Sequence, residues 1–179
     1  MTRDGIIKGV NHLLNREANS LAAYVIEAEP FVAPGQSFAL KELEQIARQE
    51  SERAAELRRL MTQVLRTAPA ENHFPPSVAD LNYLSLPYLL DLLVRDKEQL
   101  CQEYEAFLAQ MSGLGEWTEV QNTVRSCAVQ STAALAQLQN LRSRLRAVSS
   151  SGPSAAADAA AAGVSNHPPS ATASDTSKR

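Results

Sequence analysis

The sequence has few of the residues that carry most metal, redox and nucleophilic chemistry. Its 179 residues include only two cysteines and three histidines. Two cysteines do not make a disulfide framework, which favours a reducing compartment. A nucleophile elbow, a phosphate-binding loop, a glycine-rich dinucleotide motif and a Cys-x-x-Cys pair are also missing. The sequence therefore predicts no catalytic residues, and we expect a protein that is not an enzyme of these classes.

Positive charge and long apolar runs are also in short supply. The formal net charge is −3, so the chain lacks the electrostatic footprint of a nucleic-acid or anionic-membrane binder. The run YLSLPYLLDLLV contains Pro87 and Asp91 and is too short to span a bilayer. The start, MTRDGIIKGVNHLL, has no apolar run or cleavage site of a signal peptide. We expect a cytoplasmic protein with no nucleic-acid and no membrane partner.

The C-terminal segment differs in composition from the rest. Residues 149–179 consist largely of alanine, serine, proline, glycine and threonine, with almost nothing to bury. Its AAADAAAA run is too short to form a stable isolated helix in water. We predict a folded domain over residues 1–148 and a disordered tail over 149–179.

The folded part contains four helical patterns and no strand alternation. Apolar residues at 3-4 spacing predict helices over about 4–29, 37–65, 86–111 and 117–148. The first and last connections are short, whereas the stretch RTAPAENHFPPSVADLNYLSLP between the second and third helices carries four prolines and cannot be a single helix. This order of loops predicts an all-α, four-helix bundle of two antiparallel hairpins joined by a long crossover connection.

Charged residues interrupt the apolar stripes at one common depth. When the first hairpin is folded about its turn, Glu17 lies opposite Glu50, and in the second hairpin Lys97 lies opposite Ser131. Each pair is roughly 17 residues, or about 25 Å of helix, from its turn. We predict a buried polar network at this depth. Its members are Glu17, Glu50, Arg53, Lys97, Tyr24, Tyr104 and Ser131.

Two stretches, LNREANSLAAY and ARQESERAAELRRLM, resemble the first hairpin of ferritin-like proteins, most closely the bacterioferritin and rubrerythrin group. In that family one helix offers a glutamate followed two turns later by a tyrosine. The next helix offers Glu-x-x-His, the second hairpin repeats the scheme, and the set binds two iron ions in the bundle core. The resemblance covers roughly residues 4–146 and implies a ferritin-like fold.

The ligand set implied by this resemblance is incomplete. Glu17 and Glu50 match the glutamates of the first hairpin, but Arg53 stands at the histidine position of ESER. Lys97 falls at the third-helix glutamate position, with Glu98 as its neighbour and a one-residue slip left open. The matching motif of the last helix reads AVQS and has neither ligand. Arginine does not bind metal and a lysine must first lose its proton, so we expect no metal and no cofactor here.

Several interpretations stay open. The preferred one is a non-catalytic ferritin-like bundle that acts through self-association or a protein partner, with Glu17 and Glu50 as vestigial ligand positions. A second is a di-iron oxidase or iron-storage protein with an unconventional site that includes Glu98. A third is an unrelated helical chaperone or adaptor whose polar layer sets helix register. A simpler interpretation of the charges is that Glu17 and Glu50 are partly exposed at helix edges, and that the long side chains of Arg53 and Lys97 extend to solvent.

Overall fold

The computed structural model describes residues 1–30, 32–33, 35–70 and 84–148, with the backbone of 149–150. Helices are the only regular secondary structure in these ranges, which confirms the prediction of an all-α protein. The predicted disordered tail, and most of the predicted crossover connection, lie outside the described residues. No helix within the described ranges is long and apolar enough to cross a membrane.

The first arm of the bundle is two helices, not the single helix predicted over 4–29. Helix α1 spans Arg3–Ala18 and α2 spans Leu21–Glu27. Asn19 leaves the helical region at φ −97° and ψ 59°, and the Ser20 side chain then accepts a hydrogen bond from the Ala23 N–H. Serine competes with helical hydrogen bonding in this way and favours a helix start, which is the reason for the break.

The break between α1 and α2 also changes which residues of the first arm face the core. The stripe of an unbroken helix predicts that Tyr24 and Leu21 face the core, but Ala22 and Val25 are the buried residues of α2. Tyr24 is only half-buried as a result. The two non-helical residues between α1 and α2 change the register that a 3.6-residue repeat would keep.

The second arm begins at α3, Ser37–Arg59, and continues as a π-helical turn over Leu60–Val64. Gln36 is the N-cap residue of α3, and its side chain makes no capping hydrogen bond. The third arm is α4, Leu86–Gln110. After a 3-10 turn at Gly115–Trp117, the fourth arm is α5, Thr118–Ser150.

Contacts between helices give the direction of each arm. Arg3 bonds the carbonyl of Leu65, so the start of the first arm lies beside the end of the second. Gly9 packs against Phe107 near the end of α4. Arg144 near the end of α5 pairs with Glu42 at the start of α3. The first arm is therefore antiparallel to α3 and to α4, and α5 is antiparallel to α3.

The apolar core is divided in two. One cluster contains Ile6, Leu65 and Met111, and the other contains Val25, Leu86 and Leu145. The polar residues described next lie between the two clusters along the helices. The end of the second arm and the start of α4 therefore belong to opposite ends of the bundle.

Candidate functional site: a buried charge layer

Four charged side chains meet between the two apolar clusters. Glu17 lies in the last turn of α1, Glu50 and Arg53 lie one turn apart on one face of α3, and Lys97 lies in the middle of α4. Each is at most 3% exposed. Charged side chains are almost never buried to this extent unless they are paired. We call these four residues the charge layer.

Glu17 is the centre of the charge layer. Arg53 binds both of its oxygens, with Nε 2.8 Å from Oε1 and Nη2 3.0 Å from Oε2. The hydroxyl of Tyr104 on α4 also donates to Oε1, at 3.0 Å. Lys97 Nζ lies 3.9 Å from Oε2. The paired bonds from the planar guanidinium fix the orientation of the carboxylate as a single donor could not.

Glu50 has a separate set of partners. Its Oε1 pairs with Lys97 Nζ, and its Oε2 accepts a hydrogen bond from the hydroxyl of Ser20. Ser20 is itself 6% exposed and lies at the break between α1 and α2. Among the described residues, no buried side-chain nitrogen or oxygen lacks a partner. The buried charges are thus compensated by partners on three arms of the bundle.

The layer contains two acids and two bases, so its net charge is zero when all four are ionised. Burial acts to lower the pKa of Arg53, but the hydrogen bonds and negative charge of Glu17 outweigh it, and the pKa is raised. Burial, together with the charge of Glu17, raises the pKa of Tyr104. Tyr104 therefore stays a neutral O–H donor to the carboxylate.

The structure brings five of the seven predicted network residues together: Glu17, Glu50, Arg53, Lys97 and Tyr104. Ser131 on α5 is fully buried and accepts a weak bond from Cys101 Sγ at 3.7 Å, not a bond from Lys97. Tyr24 is displaced by the helix break. On α4, Lys97 and not Glu98 faces the core. Glu98 is half-buried and accepts a hydrogen bond from the Gln139 side chain at 3.3 Å.

Ser20, which donates a hydrogen bond to the charge layer, was not predicted from the sequence. The available signal was local: a serine directly before LAAYVIE is a common helix start. Its second role, as a donor to Glu50, depends on a residue 30 positions away. A periodic pattern within the first arm cannot indicate a hydrogen bond to a residue on another helix.

The donor set does not suit the pair of iron ions that the ferritin-like resemblance implies. Iron sites of that kind need several carboxylates and two histidines. Here two carboxylates face two cations. His12 lies on the surface beside Glu103, while His73 and His167 fall outside the described residues. Within the described ranges, no group of three or more His, Cys, Asp or Glu side chains could hold a metal ion.

A thiol lies one turn from this layer on α5. Cys127 is fully buried, and its Sγ lies 3.8 Å from Oε2 of Glu56. Burial, followed by the negative charge of Glu56, raises the pKa of the Cys127 thiol to about 12. Because the thiolate is the nucleophilic form, this cysteine is chemically quiet at neutral pH. Neither cysteine of the chain forms a disulfide.

No protein-family model, curated protein or solved structure matches this chain.

Proposed function

We propose that this protein is a non-catalytic, ferritin-like bundle in which a buried charge layer stands in place of a di-iron site. In this proposal the protein acts through its surface, by self-association or by binding a protein partner. The observation that carries the proposal is that both carboxylates of the layer are already bonded to Arg53 and Lys97.

The course of the helices supports the ferritin-like part of the proposal. The π-helical turn and Leu65 belong to one apolar cluster, whereas Leu86 at the start of α4 belongs to the other. A connection between these points joins opposite ends of the bundle. One long crossover of this kind distinguishes ferritin-like bundles from up-down-up-down bundles.

The chemistry of the donors supports the non-catalytic part. A metal ion entering the layer would have to displace a guanidinium that binds Glu17 through two N–H groups. It would also face the positive charge of Lys97, which lies within 4 Å of Glu17. The two cations balance the negative charge of the two carboxylates, so the layer has no net negative charge to attract a metal ion.

Metal content tests this proposal directly. The full chain would be produced with added iron, challenged with ferrous iron and analysed by elemental mass spectrometry. We expect clearly less than one iron, zinc or manganese ion per chain. A matched variant, Arg53→His with Lys97→Glu, restores the ligand types of the family and should bind more metal than the wild type. About two metals per wild-type chain would overturn the proposal and favour an oxidase or storage function.

Self-association is tested separately by sedimentation equilibrium over a range of protein concentrations. A stable oligomer supports action through self-association. A monomer at all concentrations directs the search to a partner protein, which is the other form of the proposal.

A further inference from the structure

The charge layer coincides with a division of the first arm. Helix α1 contributes Ile6, Val10 and Leu14 to one apolar cluster, whereas α2 contributes Ala22 and Val25 to the other. The break at Asn19 and Ser20 lies between them, at the depth of the charges. Two helices that follow one another in sequence are therefore held by different parts of the core.

Helix α2 is short and has few fully buried apolar side chains. Of its seven residues only Ala22 and Val25 are buried, while Leu21 and Ile26 pack against the same cluster and are partly buried. Helices this short do not persist in water without tertiary contacts. Segments with little buried apolar surface are the ones that open locally while the rest of a protein stays folded.

Ser20 joins α2 to the charge layer with one hydroxyl. Its Oγ accepts a hydrogen bond from the Ala23 N–H at 3.1 Å, which caps α2, and its O–H donates to Oε2 of Glu50. Glu50 is in turn paired with Lys97. The position of α2 thus depends on a buried carboxylate as well as on its apolar contacts with one core cluster.

We propose that Ser20 is a latch, and that α2 opens from the bundle as a unit when the Ser20–Glu50 hydrogen bond breaks, while α1 stays folded. The charge layer separates the cluster that α2 leaves from the cluster that holds α1. This inference concerns the fold alone and does not depend on the ferritin-like relationship or on the absence of iron.

Native-state hydrogen exchange of the full chain, followed by mass spectrometry, tests the latch. In Ser20→Ala, we expect amides of residues 24–27, which bond back along α2, to exchange at least about tenfold faster, as the loss of a buried hydrogen bond to a charged group predicts. Amides of residues 10–17 should change much less. The matched control is Thr2→Ala, because Thr2 caps α1 by accepting from the Gly5 N–H but has no link to the charge layer. It should affect the first turn of α1 only.

Equal acceleration of α1 and α2 in Ser20→Ala would overturn the proposal, since the two helices would then open together. Unchanged exchange in α2 would also overturn it. If Ser20→Ala does not fold, the wild type supplies the test. In urea below the unfolding transition, amides of residues 24–27 should exchange at least about tenfold faster than those of residues 10–17. Equal rates for the two segments would refute the latch.

Discussion

Truncation of Arg53 to alanine should destabilise the bundle by roughly 3–5 kcal/mol, the range for breaking a buried ion pair. Arg53 is 1% exposed and supplies two of the N–H donors to Glu17. Without it, the carboxylate keeps only the Tyr104 hydroxyl and a lysine at 3.9 Å. A buried charge left with so little compensation accounts for most of the expected loss.

Chemical unfolding in urea, followed by circular dichroism, measures this loss. With a urea slope of about 2 kcal/mol per molar, a 4 kcal/mol loss moves the midpoint down by about 2 M. The matched control is Arg16→Ala. Arg16 also binds two carboxylates, of Asp96 and Glu103, but its side chain is 25% exposed. Solvent-exposed pairs contribute about 0.2–1 kcal/mol, so the control should lose little.

The losses of unfolding free energy in Arg53→Ala and Arg16→Ala show whether the buried pair differs from the partly exposed one. A loss within about 0.5 kcal/mol for Arg53→Ala is typical of a surface site and would refute a dry, paired network. So would equal losses in the two variants. Arg53→Lys should fall between wild type and Arg53→Ala, because lysine keeps the charge but not the two-pronged geometry.

Three further outcomes are expected. Simultaneous replacement of all four charge-layer residues by leucine or methionine should leave the unfolding free energy within about 2 kcal/mol of wild type, because no buried charge is left without a partner. A loss as large as that of Arg53→Ala would contradict this prediction. Gly9→Ala should destabilise the protein by about 1–3 kcal/mol, measured by urea unfolding, since its Cβ would overlap the Phe107 ring. Gly5→Ala is the control and should be neutral or stabilising, because its Cβ meets the flexible Met1 side chain and only an ordinary contact with the Thr2 hydroxyl. The Cys127 thiol, whose pKa is raised from 9.0 to about 12, should resist alkylation at pH 9 until the protein unfolds, as followed by mass spectrometry. The stability that this pKa shift contributes is complete below pH 9 and is lost as the pH rises toward 12. Rapid alkylation of the folded protein would refute that shift.

The depth of the charge layer was predictable because helical periodicity is a local property. Glu17, Glu50 and Lys97 each replace an apolar residue in a stripe of 3-4 spacing, so their burial follows from the repeat alone. The antiparallel turns then place them at one level. The same reasoning failed for Tyr24, because a single serine that caps its own helix changed the register of every residue after it.

The sequence by itself determined an all-α chain and the four charged residues that meet inside it, since both follow from spacing along each helix. Only the tertiary structure decided which base binds which acid: Arg53 holds Glu17, while Lys97 is shared between Glu17 and Glu50. The tertiary structure also brought the Ser20 hydroxyl within hydrogen-bond distance of Glu50. These choices depend on side-chain directions and on the distances between helices, and no pattern within one helix specifies either.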